Sequence, residues 1–360
     1  MAIAVEWATI KTLVAWETIG AALGGLENIE IEVIRLVQGL GVWLVAPMKA
    51  FTFLGSVEFY LLVMPAVYWC LDAEIGLQMG WMLLLRSGLS QALKLAFHRP
   101  RPYWLPAWSD WIHVWSHGAD FAFPSGHAQH AASVWGLLAS FSRQPWVRLA
   151  VVYLAFLIGV SRVYLGVHFP SDVVAGWLVG SLVLGAFLRW REPLRRKLAE
   201  LNVSRQVAAA GLASAALLGI NGLGLASLRG WDVPASWVLT ALARTGEPIL
   251  PLSLGNAFDI AGVLFGIGCG AAWLARSGGF RAAGSWAQRV ARYPLGLVVL
   301  TILWFGLKAV LLGGESLLGW SLGMLRSAAV GVWVAAGAPL WFQRLGLAER
   351  QGSAAARRPT

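Results

Sequence analysis

Eight stretches of this chain are apolar and long enough to cross a bilayer, and a ninth, residues 57–71, is borderline. The others run over about 75–97, 128–141, 147–160, 173–190, 207–228, 257–275, 295–312 and 317–342. Backbone inside hydrocarbon must satisfy its hydrogen bonds internally, and for runs of this length that means helices. The predicted fold class is therefore all-α, a polytopic transmembrane helical bundle of about nine spans. Composition agrees: 58% of residues are hydrophobic and only 13% are charged, where a soluble domain carries about a quarter. The 21 tryptophans suit headgroup interfaces. Ahead of the spans, Ile29, Val33, Leu36, Val37, Leu40 and Leu44 recur at helical spacing within 29–48. That region is predicted to be an amphipathic helix, either lying along the interface or packed on the bundle. The opening MAIAVEWATIKTL lacks the basic n-region and clean apolar core of a signal peptide.

The net charge of +10 does not indicate nucleic-acid binding, because the basic residues fall in short clusters between apolar stretches. Arg143 and Arg148, then Arg191, Arg195, Arg196, Lys197 and Arg205, alternate with loops poor in lysine and arginine. Arg276, Arg281, Arg289 and Arg292 follow the seventh span, and Arg344, Arg350, Arg357 and Arg358 the last. With nine spans these clusters share one side, predicted to be cytoplasmic. Loops 98–124, 163–170, 229–255 and 313–316 then face outward or into a lumen. One of them opens with the strongly basic His98-Arg99-Pro100-Arg101-Pro102, and a basic loop on that side needs a functional reason. Cys70 and Cys269 form no metal-ligand spacing and no disulfide framework.

Three segments at the outward ends of spans two to five hold nearly all the reactive groups: 94–102, 123–127 and 161–172. Membrane-edge ionisable residues are costly and point to function. Lys94, Arg101 and Arg162 can give charge-assisted donors to a phosphate, with arginine adding bidentate geometry. Ser125 and Gly126 begin the third span, where backbone N–H groups at a helix start favour an anion. Two histidines of these segments, His127 and His168, could serve as nucleophile and as general acid for a leaving alkoxide. Asp172, four residues beyond His168, can hold one imidazole nitrogen and leave the other free to attack.

The pattern K-x6-RP, PSGH and SR-x5-H-x3-D resembles the signature of the type 2 phosphatidic acid phosphatase superfamily, which also includes glucose-6-phosphatase and the vanadium haloperoxidases. Lys94, Arg101, Pro102, Pro124, Ser125, Gly126, His127, Ser161, Arg162, His168 and Asp172 match every motif position. The resemblance implies that His168 becomes a phosphohistidine, that Asp172 orients it and that His127 protonates the leaving group. It implies phosphate binding by Lys94, Arg101, Ser125, Gly126 and Arg162, with no metal ion or other cofactor. The motif core covers roughly residues 50–190. The remaining spans and the run Arg101 to Trp104 give a weaker, whole-chain likeness to glucose-6-phosphatase, although that branch tends to carry glutamine where this chain has Asp172.

The expected substrate is a lipid phosphate or diphosphate, its tail left among the membrane lipids, handled at the extracytoplasmic or lumenal face. A sugar phosphate is the alternative, and a non-catalytic transporter or flippase a remote one that the intact His127, His168 and Asp172 argue against. Trp104, Trp108, Trp111 and Trp115 of the outward loop are expected to anchor at the interface rather than stack on a sugar. The expected organisation is an N-terminal helical region (1–50), the catalytic membrane core (51–190), a basic loop (191–206), a four-span extension (207–342) and a basic disordered tail (343–360). Within the extension, Asp259 and Lys308 fall at similar depth and are predicted to pair, with Arg326 pointing into the bundle.

Overall fold

A computed structural model describes residues 16–310 and 314–350, with side chains from residue 25 onward. The predicted tail beyond 350 and the first fifteen residues lie outside the described part. Among the described residues every regular element is helical, and β pairing is limited to one isolated bridge, Arg281 with Glu349. In chain order the helices are α1 Trp16–Gln38, α2 Val45–Leu54, α3 Val57–Ala66 and α4 Ala73–Phe97. After them α5 begins at Gly126–His130 and runs on through a π-helical stretch, Ala131–Trp135, to Gly136–Ser140. The next are α6 Pro145–Tyr164, α7 Pro170–Ala199, α8 Val203–Ala226, α9 Ala235–Thr245 and α10 Gly255–Arg276. The last two begin at Trp286–Thr301 (α11) and Leu317–Val332 (α12), and each continues past a π-helical stretch, to Val310 and Arg344.

Helix occurs at all nine predicted positions, but nine spans are not obtained. Among the described residues six helices are long and apolar enough to cross a membrane: α6, α7, α8, α10, α11 and α12. A seventh arises if Val42–Leu54 and Val57–Leu71 count as one broken span. The shortfall has physical reasons. Residues 126–140 fall below the ~17 residues a span needs. The helix α4 is long enough, but Arg86, Ser90, Gln91 and Lys94 interrupt its apolar surface, and all four are buried.

The continuous helix expected over 29–48 is also broken. Gly41 adopts φ 109°, a conformation that favours glycine, and Val42–Leu44 forms a separate 3-10 turn before α2. The face of α1 that packs inward carries Glu30, Ile31, Ile34 and Gln38, while the expected apolar stripe turns outward, with Leu36 74% exposed.

The chain divides into two compact units. The first comprises residues 1–56, 89–184 and 221–252, and the second 57–88, 185–220 and 253–360. In the first unit α7 lies close against the start of α5. A Cβ on Gly176 would meet Ser125 O and the Ala128 side chain, and one on Gly180 would meet Gln129 O. This small-x3-small spacing lets two backbones approach where apolar burial alone would not select the pair. The stretch 229–255 contains α9, a helix the hydropathy pattern did not indicate, whose Arg244 donates to Ile112 O at 2.7 Å. Trp237 of α9 and Phe121 pack near Trp104, which is fully buried, and Trp231 lies against both of those rings. Trp104 is thus a core residue, contrary to its expected interfacial position. Trp115 stacks on Tyr164 with centroids 5.1 Å apart, while Trp111 remains exposed.

In the second unit, Gly262, Gly266 and Gly270 of α10 face Met324, Ala328 and Ala335 of the last long helix, again a small-residue seam. Arg292 is wholly buried and donates to the carbonyls of Trp69, Ala283 and Leu347. The expected partnership of Asp259 with Lys308 is not formed. Asp259 accepts from Arg326 Nη2 at 3.2 Å and from Ser327 Oγ at 2.6 Å, and the Arg326 guanidinium lies 4.5 Å from the Trp304 ring. The reason is rotational: Arg326 and Ser327 face α10 across Gly323, whereas Lys308 is turned to the exposed side of α11. Asp259→Asn should lower unfolding stability in detergent by about 1–3 kcal/mol, since it strips a partly buried arginine of its counter-charge. Lys308→Gln should change it by less than about 0.5 kcal/mol. The reverse order of effects would restore the predicted pair.

Candidate active site

The ends of α4, α5, α6 and α7 that carry the three motif segments converge within the first unit. Lys94 stands in the last turn of α4, and His98, at φ 37°, turns the chain out of that helix. Pro100 and Pro102 then favour an extended segment, in which alternate side chains face one way, so Arg99 and Arg101 both turn into the protein. Arg162 lies in the last turn of α6, and Gly166, at φ 76°, makes the tight turn towards His168. A side chain on Gly166 would also collide with His113 O. Pro170 opens α7 and brings Asp172 into its first turn.

The structure brings all eight sequence-predicted residues into this region, six of them buried or nearly so. Lys94, Arg101, Ser125, Arg162, His168 and Asp172 are each at most 5% exposed, and Gly126 and His127 are partly buried. His168 is held at both ring nitrogens. Its Nδ1 lies 3.3 Å from Asp172 Oδ2, and its Nε2 lies 3.3 Å from Arg101 Nη1. With the proton on Nδ1 donated to Asp172, the Nε2 lone pair faces the cations. Arg101 also donates to Val167 O at 3.0 Å, which ties it to the loop carrying His168. Arg162 donates to Thr52 Oγ1 at 2.5 Å. His127, on the first turn of α5, lies in the field of Arg162, Lys94 and Arg101.

Two details differ from the expected anion site at the start of α5. The Ser125 N–H is committed to Asp172 O at 2.9 Å, so it is not a donor for a ligand. The Ser125 hydroxyl, by contrast, is buried without a hydrogen-bond partner. An unsatisfied buried hydroxyl costs roughly 1–3 kcal/mol unless a ligand completes it.

Besides Thr52, sequence reasoning missed two sets of residues. Asp120 bridges the cations, accepting from Lys94 Nζ at 2.5 Å and from Arg101 Nη2 at 2.5 Å, while its carbonyl accepts from Arg101 Nε at 2.8 Å. Gly118 lets this loop pass so close that a Cβ there would overlap the Arg101 guanidinium. Arg99 and Glu30 form the other set, an ion pair at 2.6 Å behind Asp172. The first arginine of Arg99-Pro-Arg101-Pro was a legible signal; Glu30 and Asp120 had none.

The electrostatics follow from this packing. Burial would raise the Asp120 carboxyl, but Lys94 and Arg101 outweigh it and hold the group well below the usual carboxylate range. Burial, reinforced by Arg101, Arg162, Lys94 and His127, pushes the His168 imidazole well below its ordinary value of 6.5. A neutral imidazole beside a cluster of cations can attack an electrophile whose negative oxygens those cations hold.

Comparison with known proteins gives the chain's family. A model of the PAP2 superfamily matches residues 75–196, and one for the PAP2 superfamily phosphatase transmembrane extension matches 258–350. Phosphatidylglycerophosphatase B of Bacillus subtilis (strain 168) is 30% identical over 167 residues, covering 43% of this chain and 78% of that protein. Glucose-6-phosphatase 3 of Rattus norvegicus is 31% identical over 168 residues, covering 39% of this chain but 45% of that protein, so this chain spans about half of that relative. The crystal structure of a transmembrane PAP2-type phosphatidylglycerolphosphate phosphatase from Bacillus subtilis is 26% identical, with TM-score 0.42, covering 51% of this chain and 96% of that one. The chain belongs to the PAP2 superfamily, and it is an integral membrane protein.

Two measurements test the site's electrostatics. In a carbon-13 NMR titration of ring-labelled histidine, His168 should stay neutral through pH 6.5 and protonate only well below it. Because the folded-state value is lowered, its burial costs no stability above pH 6.5, and stability falls as the pH drops below that point. A midpoint at or above 6.5 would contradict the buried cationic surroundings. Asp120→Asn should tighten binding of orthophosphate by about tenfold, because the carboxylate holding Lys94 and Arg101 is removed. Weaker binding would mean that Asp120 organises the two cations for a ligand instead.

Proposed function

We propose that this protein is a membrane phosphatase that transfers the phosphoryl group of a lipid phosphate first to His168 and then to water. The observation that carries the reading is the paired state of His168, with Nδ1 tied to Asp172 and Nε2 turned towards cations. Lys94, Arg101 and Arg162 hold the phosphoryl oxygens, with the Ser125 hydroxyl completing its unmet hydrogen bond there and Gly126 allowing close approach. The cations supply the charge compensation that phosphoryl transfer requires, so the reaction runs without a metal ion. His168 Nε2 attacks phosphorus, the ester P–O bond breaks, and His127 gives its proton to the departing alkoxide. His127 then takes a proton from water, whose oxygen attacks phosphorus, breaks the P–N bond and frees phosphate.

A lipid substrate is supported by the Bacillus subtilis relative, named a phosphatidylglycerophosphatase and matched over 78% of its length. It is supported too by Asp172 at a position where the sugar-phosphate branch tends to differ. The likeness to glucose-6-phosphatase 3 favours a second reading, hydrolysis of a sugar phosphate. The alternation of basic loops along the chain supports an active site on the extracytoplasmic or lumenal face.

Phosphate release from phosphatidate, phosphatidylglycerophosphate, a polyprenyl diphosphate and glucose 6-phosphate separates these readings. A lipid should be turned over with the highest kcat/KM; a clear preference for glucose 6-phosphate would select the second. Activity should survive EDTA and be inhibited by vanadate. A phosphoenzyme should be trapped in wild type and lost in His168→Ala, whereas His127→Ala should spare substrates with good leaving groups. A phosphoenzyme in His168→Ala, or loss of activity on chelation that Mg²⁺ restores, would overturn the mechanism.

A further inference from the structure

We propose that Glu30 and Arg99 are positioning residues for the reaction, setting the orientation and the effective charge of Asp172 and, through it, of His168. This rests on the phosphohistidine reading above.

Arg99 is 6% exposed and spends its guanidinium on the residues around the histidine. Its Nη1 donates to Asp172 Oδ1 and to Ser171 Oγ, both at 2.7 Å, and its carbon lies 4.1 Å from the Phe169 ring centroid. Asp172 Oδ2 accepts from Phe169 N at 2.9 Å and faces His168 Nδ1. With one oxygen fixed by Arg99 and the other by the Phe169 amide, the carboxylate cannot rotate away from the imidazole. Fixing a group one step behind the reacting atom is how catalytic geometry is held.

Glu30 explains how this arrangement keeps Asp172 useful. A lone buried arginine at 2.7 Å would neutralise Asp172 and weaken its hold on His168. Glu30 Oε2 accepts from Arg99 Nη2 at 2.6 Å, and Glu30 Oε1 accepts from Ser171 N at 2.7 Å. The three ionised groups Glu30, Arg99 and Asp172 then sum to one negative charge. When Nε2 bonds to phosphorus while Nδ1 keeps its proton, the imidazole ring becomes cationic, and that negative charge lies on its Asp172 side. The source of Glu30 is informative: it comes from α1, outside the residues 75–196 that match the superfamily model. The N-terminal helix thus supplies the counter-charge on which the family's catalytic pair depends in this chain. An unpaired buried ion costs several kcal/mol, so the network holds together as a set.

The test uses the full chain in detergent with phosphatidylglycerophosphate as substrate, and compares wild type, Glu30→Gln and Arg99→Lys. Glu30→Gln keeps the shape and removes the charge. Arg99→Lys keeps the charge but offers one ammonium where a planar fork reached three acceptors. Each variant should lose about tenfold to a hundredfold in kcat, the scale seen when the partner behind a functional ligand is removed. KM and the inhibition constant for orthophosphate should stay within about twofold, because neither residue touches the cations of the cradle. The phosphoenzyme should form more slowly in both. If Glu30→Gln fails to fold, Arg99→Lys carries the same test, with thermal unfolding as the control. A folded variant with kcat within twofold of wild type would refute the proposal, as would an orthophosphate constant that worsens in step with kcat. Wild-type protein without vanadate-sensitive phosphate release would instead refute the phosphatase reading itself.

Discussion

Lys94, Arg101 and Arg162 are gathered around one histidine, and like charges in a poorly solvated space repel strongly, by about 4 kcal/mol for two at 4 Å in an effective dielectric near 20. Everything else in the first unit answers that constraint. Asp120 bridges two of the cations, and Arg162 finds Thr52. Arg101 is anchored to the carbonyls of Asp120 and Val167, so the same hydrogen bonds that stabilise the cation also fix the loops carrying the site. The helices that deliver these groups can approach because Gly176 and Gly180 leave room for the backbone of α5.

The family provides the context for this design. A PAP2 superfamily core over residues 75–196 is followed here by the match to the superfamily's transmembrane extension over 258–350. That extension solves a related problem on its own terms. Asp259 meets Arg326 and Ser327, and Arg292 is satisfied by three carbonyls without a carboxylate. In both units small residues make the helix seams, as expected where surrounding lipid is as apolar as the side chains.

Hydropathy and motif spacing alone indicate a helical membrane protein and the residues of the candidate site. Apolar runs in lipid leave the backbone no alternative to helix, and the three motif segments carry every residue of the histidine's immediate surroundings except Asp120 and Thr52. The tertiary structure decided what those segments are worth electrostatically. Asp120 and Glu30 lie outside the motifs, and only folding brings their charges to Arg101 and Arg99. Periodicity marked the apolar stripe of α1 but not its inward face, where Glu30 and Gln38 are buried beside Ile31 and Ile34. It paired Asp259 with Lys308 on depth alone, because depth is written in residue number, whereas the direction a side chain faces is set by how each helix rotates against its neighbour.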